Sequence, residues 1–315
     1  MSDPVELDVL TSWCDRATTW PLPGSGSTNT RFELLAAVAE ADLVTGRLVE
    51  AHADAVAISV ELRSDLVRAG QRWGVWAAGP SDSLRASHSS DGWRVSGTKA
   101  WCSGATLVTH ALVDALTDAG QQLFALDLAE SGVVPRPPDW LGPGMGRADT
   151  RTVDFQAAAA APVGQRGEYL ARPGFWAGAI GVAACWHGGT VAVARRLLER
   201  SRSAEDQHLL AHLGAVHVAL NENRSVLGRS GRQVDEKSGS DHSVIARSVR
   251  ATVERNALEV IDRVGRALGP GPLAHDGRHA TLVADLMVYV RQHHAERDLE
   301  QIGRAVALTE DPWRT

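Results

Sequence analysis

Apolar residues recur at helical spacing over residues 31 to 68. Leu34, Leu35, Val38, Ala41, Leu43 and Leu48 mark one face, and Ile58, Leu62 and Leu66 continue it. The spacing predicts helix here, with Asn29 or Thr30 as the starting cap and Gly70 as the close. From about 71 to 165 the period shortens. The runs WGVWAA, WRVSG, TKAWCS, LVTHALVDAL and LFALDL are set apart by Asp91-Gly92, Asp118-Ala119-Gly120 and Ser131-Gly132. Such runs between turn signals predict strands and hairpins. Gly142 to Gly146 reads as a turn and Arg151 to Phe155 as a further strand, with the alanine run 157–161 in a loop. From about 173 the helical period returns in four phrases: FWAGAIGVAACWHGGTVAVARRLLE, HLLAHLGAVHVALNENRSVL, SVIARSVRATVERNALEVIDRVGRAL and ATLVADLMVYVRQHHAERDLEQIGRAVAL. Gly178, Gly181, Gly188 and Gly189 weaken the first as a helix but allow another helix to approach closely. The third starts near Asp241 and stops at Gly269-Pro270.

Helices, then strands, then helices is an α+β order, unlike the alternating βαβ pattern of a nucleotide-binding sheet. The expected layout is an N-terminal helical region at 1–70, a middle antiparallel β domain at 71–165 and a C-terminal four-helix bundle at 166–315.

With 44% hydrophobic and 22% charged residues, the chain has the makings of packed cores. A net charge of −6 gives no reason to expect nucleic acid or an anionic membrane as partner. No apolar run reaches the roughly 18 residues that a membrane helix needs. The start, MSDPVELDVL, lacks the pattern of an export signal, so a cytoplasmic location is expected. Cys14, Cys102 and Cys185 are scattered and read as reduced thiols. His208 and His212 share a helix face, but no third ligand follows by spacing, so no metal is expected.

One phrase stands out chemically: DGWRVSGTKAWCSGA, residues 91 to 105. On a regular strand Trp101 and Ser103 point the same way. An aromatic face with a small hydroxyl suits a flat ligand ring that carries polar edge atoms. The plain alternative is a core tryptophan beside an incidental serine.

Four phrases in this order resemble the acyl-CoA dehydrogenase family: WAAGPSD at 76–82, DGWRVSGTKAWCSGA, GMGRADTRTVDFQ followed by AAPVG, and RPGFWAGAIGVA at 172–183. The resemblance covers most of residues 31 to 315. It implies FAD as cofactor, α,β-dehydrogenation of an acyl-CoA or related thioester, and a homo-oligomer that completes the FAD site. It places Trp101 against the flavin ring and Ser103 near the ring's reactive edge. Trp76 and Ala78 fall on the flanking strand and loop, Arg196 near the pyrophosphate, Gly269 at a turn by the cofactor, and Arg172 in support of the active-site loop. The resemblance also leads to the expectation of a shortened N-terminal helical region, since only about 70 residues precede the β module.

The chain also departs from the family at the catalytic base, which is a Glu at one of two places. Here those places hold His293 and Ala171, with Glu296 and Glu168 nearby. His293 and Glu168 are therefore the candidate proton acceptors. The plain reading of His293 is a solvated helix face. The family's Thr-Glu before Pro becomes Ala78-Gly79, and its Arg-x-x-Phe-Gly is absent, although Arg195, Arg196 and Arg200 lie nearby. Two alternatives follow. The chain is a non-catalytic subunit completing the site of a Glu-bearing paralogue, or it carries flavin monooxygenase-like chemistry with His293 or His294 taking part.

Overall fold

The computed structural model describes residues 4–77, 83–203, 205–311 and 313. Three helices come first: α1 (Leu7–Ala17), α2 (Thr28–Ala41) and α3 (Leu43–Glu61). Seven strands follow: β1 (Trp73–Trp76), β2 (Leu84–Ser89), β3 (Gly92–Cys102), β4 (His110–Thr117), β5 (Gly120–Asp127), β6 (Val133–Pro135) and β7 (Arg151–Val163). The rest is helical: α4 (Glu168–Ala171), α5 (Phe175–Ser201), α6 (Gln207–Glu236), α7 (Ser243–Leu268), α8 (Gly271–His275), α9 (Gly277–Tyr289) and α10 (Glu296–Ala307).

The stretch expected to be helical from 31 to 68 divides at Asp42. Its carboxylate accepts a hydrogen bond from Thr45 N at 2.7 Å, so it ends one helix and caps the next. The α2 cap is Ser27 rather than Asn29 or Thr30, and α3 stops at Glu61, well before Gly70. Helix α1 was not legible as a periodic run, yet Leu10, Cys14 and Ala17 bury one face of it. Helix α3 is buried on nearly every side, from Leu43 to Ser59, because it packs on α1, α2, α5 and β1 at once.

The sheet is mixed rather than wholly antiparallel, since β1 runs parallel to β4 and β2 touches β4 in parallel at Arg85 and Leu116. Strand pairing closes a ring through β4, β2, β3, β7, β5 and back to β4. WRVSG and TKAWCS form one strand, β3, across the turn at Asp91-Gly92 from β2. The alanine run 157–161 belongs to β7 and pairs with β3 and β5, so it is not a loop. Inside the ring the charged pair Lys99–Asp114 is buried at 2.6 Å, and Gln121 Nε2 donates to the same carboxylate at 2.6 Å.

Contrary to the expectation that no apolar run reaches the length of a membrane helix, helix α5 is long and apolar enough to cross a membrane by length and composition. Here 78% of that window is buried inside the protein, where α5 packs on α2, α3, α6, α7 and α9. At Gly188 a Cβ would stand 2.1 Å from Ala36 O, so only glycine lets α2 and α5 meet this closely. The fourth C-terminal helical phrase breaks into α9, a single 3-10 turn at Val290–Gln292, and α10.

Candidate functional site

Strand β3 does not carry its alternation through to Ser103. Its pairing with β7 shifts register between Lys99 and Cys102, and Trp101 takes a left-handed backbone, φ 63°. That conformation is uncommon outside glycine and costs of order 1 kcal/mol or more. The bulge turns the indole outward, leaving Trp101 65% exposed while Cys102 beside it is fully buried. Trp101 is thus not a core residue. Trp140 meets its ring edge-on, with centroids 6.1 Å apart.

The surroundings fix this ledge. Trp76 is buried and donates from Nε1 to Ser103 O at 2.9 Å. Ser103 Oγ and Thr150 Oγ1 are 3.0 Å apart. Gly104 N donates to Ala148 O at 2.7 Å, and Thr106 donates from N and Oγ1 to the Asp149 carboxylate at 2.8 and 2.7 Å. The 140–149 segment is therefore fastened along the end of β3. Trp140 Nε1 donates to Gly144 O at 2.8 Å, and Met145 N to Asp285 Oδ1 of α9 at 2.5 Å. A Cβ on Gly144 would strike Ala284 O at 2.2 Å, so the segment lies directly on α9. Burial raises the Asp285 carboxyl above its ordinary range, opposed by the Met145 N–H. Burial works the same way on Asp42, but hydrogen bonds from Arg147 and Thr45 outweigh it and hold the carboxyl low.

Arg196, on α5, is half-exposed and lies 3.5 Å from Asp276 and 3.6 Å from Glu199. It faces two clefts. One, of about 800 Å³, also carries Asp42, Arg147, His279 and Asp285, and so backs onto the 140–149 segment. The other, of about 680 Å³, includes Ala267, Leu268 and Pro272, the neighbours of Gly269. Gly269 itself ends α7 with φ 68°, a backbone that favours glycine. Ala78 lies outside the described residues.

His293 is buried, not on a solvated helix face, because the chain breaks at this point and turns back on α7. Arg250 of α7 holds the turn by donating to Gln292 O at 2.6 Å, and to Ala179 O at 3.0 Å. Its guanidinium sits 4.5 Å over the Trp186 ring. Burial pulls Arg250 down to about 10, which leaves it charged at neutral pH. Glu168 caps its own turn, accepting from Gln165 N at 2.7 Å. Arg172 is buried between Asp54 and Glu61 at 2.9 and 2.7 Å; burial would lower its pKa, but the carboxylates more than reverse that. The contacts of His293, Glu168 and Arg172 are thus with helices and turns, whereas Trp76, Trp101 and Ser103 form one group at the end of β3.

Between α3 and the C-terminal helices lies a charged interior. Arg31, Arg47, Arg172 and Arg250 face Glu50, Asp54 and Glu61. Burial pushes the Glu50 carboxyl up to about 7, against the pull of Arg47 at 3.1 Å. Leu48 of α3 packs under Gly104, so α3 supports the end of β3 from below.

Sequence reasoning missed Trp140, Thr150 and Arg250. Only Trp140 had a signal, a bulky aromatic just ahead of a Gly-Pro-Gly turn.

No protein-family model matches the chain, and no curated protein matches it in sequence. Solved structures do match in shape. TdsC from Paenibacillus sp. A11-2, in complex with FMN and indole, is 19% identical over 96% of each chain, with a TM-score of 0.78. PigA in its FAD complex is 13% identical over 97% of this chain and 90% of its own, with a TM-score of 0.79. A structure described as an FAD-dependent dehydrogenase is 15% identical over 96% and 93%, with a TM-score of 0.78. At these identities the likeness establishes the fold: the chain shares with these proteins an α+β fold of acyl-CoA dehydrogenase type.

Proposed function

We propose that this protein is a flavin-dependent oxidoreductase. One observation carries the reading: a bulge at the end of β3 holds the Trp101 indole bare, with hydroxyls of Ser103 and Thr150 paired beside it. The neighbours of the same fold that were solved with FMN or FAD support it. The residues present fit the group. Trp101 offers a flat face, Ser103 and Thr150 offer polar partners for a ring edge, and Arg196 near Gly269 offers charge for phosphates. Bound there, the flavin supplies two-electron chemistry that no side chain can provide. The chain's own part in this reading is to cover one ring face with Trp101 and to steady the ledge through Trp76 and Trp140, while His293, whose contacts lie with α7 and its own turn, is the proton acceptor that the sequence resemblance offers.

The narrower reading, membership of the acyl-CoA dehydrogenase family and α,β-dehydrogenation of an acyl thioester, needs a proton acceptor at the α-carbon. By the sequence resemblance His293 falls at one of the family's two positions for it, while Glu168 is engaged in its own turn. A second reading, flavin monooxygenase-like chemistry, is supported by the fold neighbour TdsC, described as a dibenzothiophene monooxygenase. Under either reading a second copy is expected to complete the cofactor site.

Absorbance of the purified protein between 300 and 550 nm, followed by titration with FAD and with FMN, tests the proposal. Bands near 370 and 450 nm or saturable uptake are expected. If neither flavin binds, the autonomous enzyme is refuted, and the non-catalytic subunit becomes the reading to pursue through a co-purifying paralogue.

A further inference from the structure

The turn between α9 and α10 gathers several reactive groups around Asp298. His293 is buried, and its Nε2 has no hydrogen-bond partner among the described residues. Asp298 Oδ2 lies 3.8 Å from that nitrogen, 3.6 Å from His294 Nδ1, and accepts from His294 N at 3.2 Å. The other oxygen faces Arg247 Nε at 3.8 Å. Arg247 in turn lies 4.3 Å over the Trp176 ring. The carboxylate is thus anchored by backbone and by a cation that is itself held in place. The other charged groups facing His293 are Arg250 and Glu254 of α7 and His294 of its own turn. Glu254 is taken up by Arg291 at 2.9 Å.

A separation of 3.8 Å is too long for a hydrogen bond to a neutral ring. It is short enough for a carboxylate to stabilise a proton arriving on that ring. A carboxylate on the Nε2 side also favours the tautomer with hydrogen on Nε2, leaving the Nδ1 lone pair to accept. We infer that Asp298 is the positioning residue for His293, fixing its tautomer and stabilising its imidazolium while His293 takes a proton from the bound substrate. The inference deepens the flavin-enzyme reading above and rests on it. In the step, a bond to hydrogen in the substrate breaks and its electron pair stays on the substrate. The proton bonds to Nδ1, and the new positive charge is balanced by Asp298. Burial sets His293 against this protonation, Asp298 favours it, and Arg250 opposes it.

The test is an NMR pH titration of the imidazole signals in full-length protein, with His293 assigned through H293Q. In the wild type, ¹⁵N shifts should report hydrogen on Nε2. In D298N, which keeps an acceptor for His294 N, the His293 pKa should fall by about one unit or more and the tautomer preference should weaken. D298E should restore part of both. Identical titrations in wild type and D298N overturn the pairing. The series is then repeated with saturating FMN or FAD. A shift of the His293 signals supports its place at the site, and bound flavin that leaves them unmoved overturns that place. Absence of flavin uptake refutes the flavin reading itself, while the tautomer and pKa comparison still decides the pair.

Discussion

Replacing Trp101 with alanine should separate binding from folding. The side chain is 65% exposed, so its loss removes little buried area. Substitutions at such surface positions change stability by about 0.5 kcal/mol or less. Binding is another matter. A tryptophan can bury roughly 150–250 Å², and about two-thirds of that remains uncovered here. A planar ring lying on one face would cover about half of the remainder, roughly 50–80 Å². At about 25 cal/mol per Å² this contributes roughly 1.2–2 kcal/mol, or about 8- to 30-fold in Kd. The assay is a titration of FAD or FMN by fluorescence quenching, run beside urea unfolding of both proteins. W101F should recover much of the affinity. An unchanged Kd with intact folding would refute the assignment of the ledge to the flavin ring. A large drop in unfolding free energy would show that Trp101 supports the fold instead.

Three further outcomes follow from the interior. Within the barrel, D114A strands the buried Lys99 ammonium and should cost about 3–5 kcal/mol in urea unfolding, whereas a K99M/D114L pair should recover most of it. His52 is fully buried and its Nδ1 accepts from Trp73 N at 3.2 Å, which requires a neutral ring; burial pulls its pKa down to about 4. The unfolded chain binds this proton near pH 6.5 and the native one near 4, so stability is full above 6.5 and lost as pH falls between them. Urea midpoints at pH 7 and pH 4.5 should therefore differ less for H52Q than for the wild type, and an equal difference would refute the assignment. G188A sets a methyl against Ala36 O and should lower Tm by an amount matching about 1–3 kcal/mol, read by thermal unfolding.

How far the sequence reached depends on the range of the physics behind each feature. Helices α5, α6 and α7 and strands β4 and β5 were legible because side-chain periodicity is a local property, and so was the Asp91-Gly92 turn. The closeness permitted by Gly188 was legible too, because a missing side chain says what can approach. Other features had no local signature. The β3 bulge that bares Trp101 arises from pairing with β7, a partner some fifty residues away in the chain. The helical phrase at 280–308 looked continuous, yet packing against α7 breaks it and buries His293 beside Asp298. The alanines of 157–161 became strand because β3 and β5 supplied hydrogen bonds that composition alone could not foretell. The sequence by itself determined where helix and strand could form and which chemistry was present. Only tertiary contact decided which side chains were left bare and which charges were buried together, because exposure and pairing depend on elements far apart in the chain.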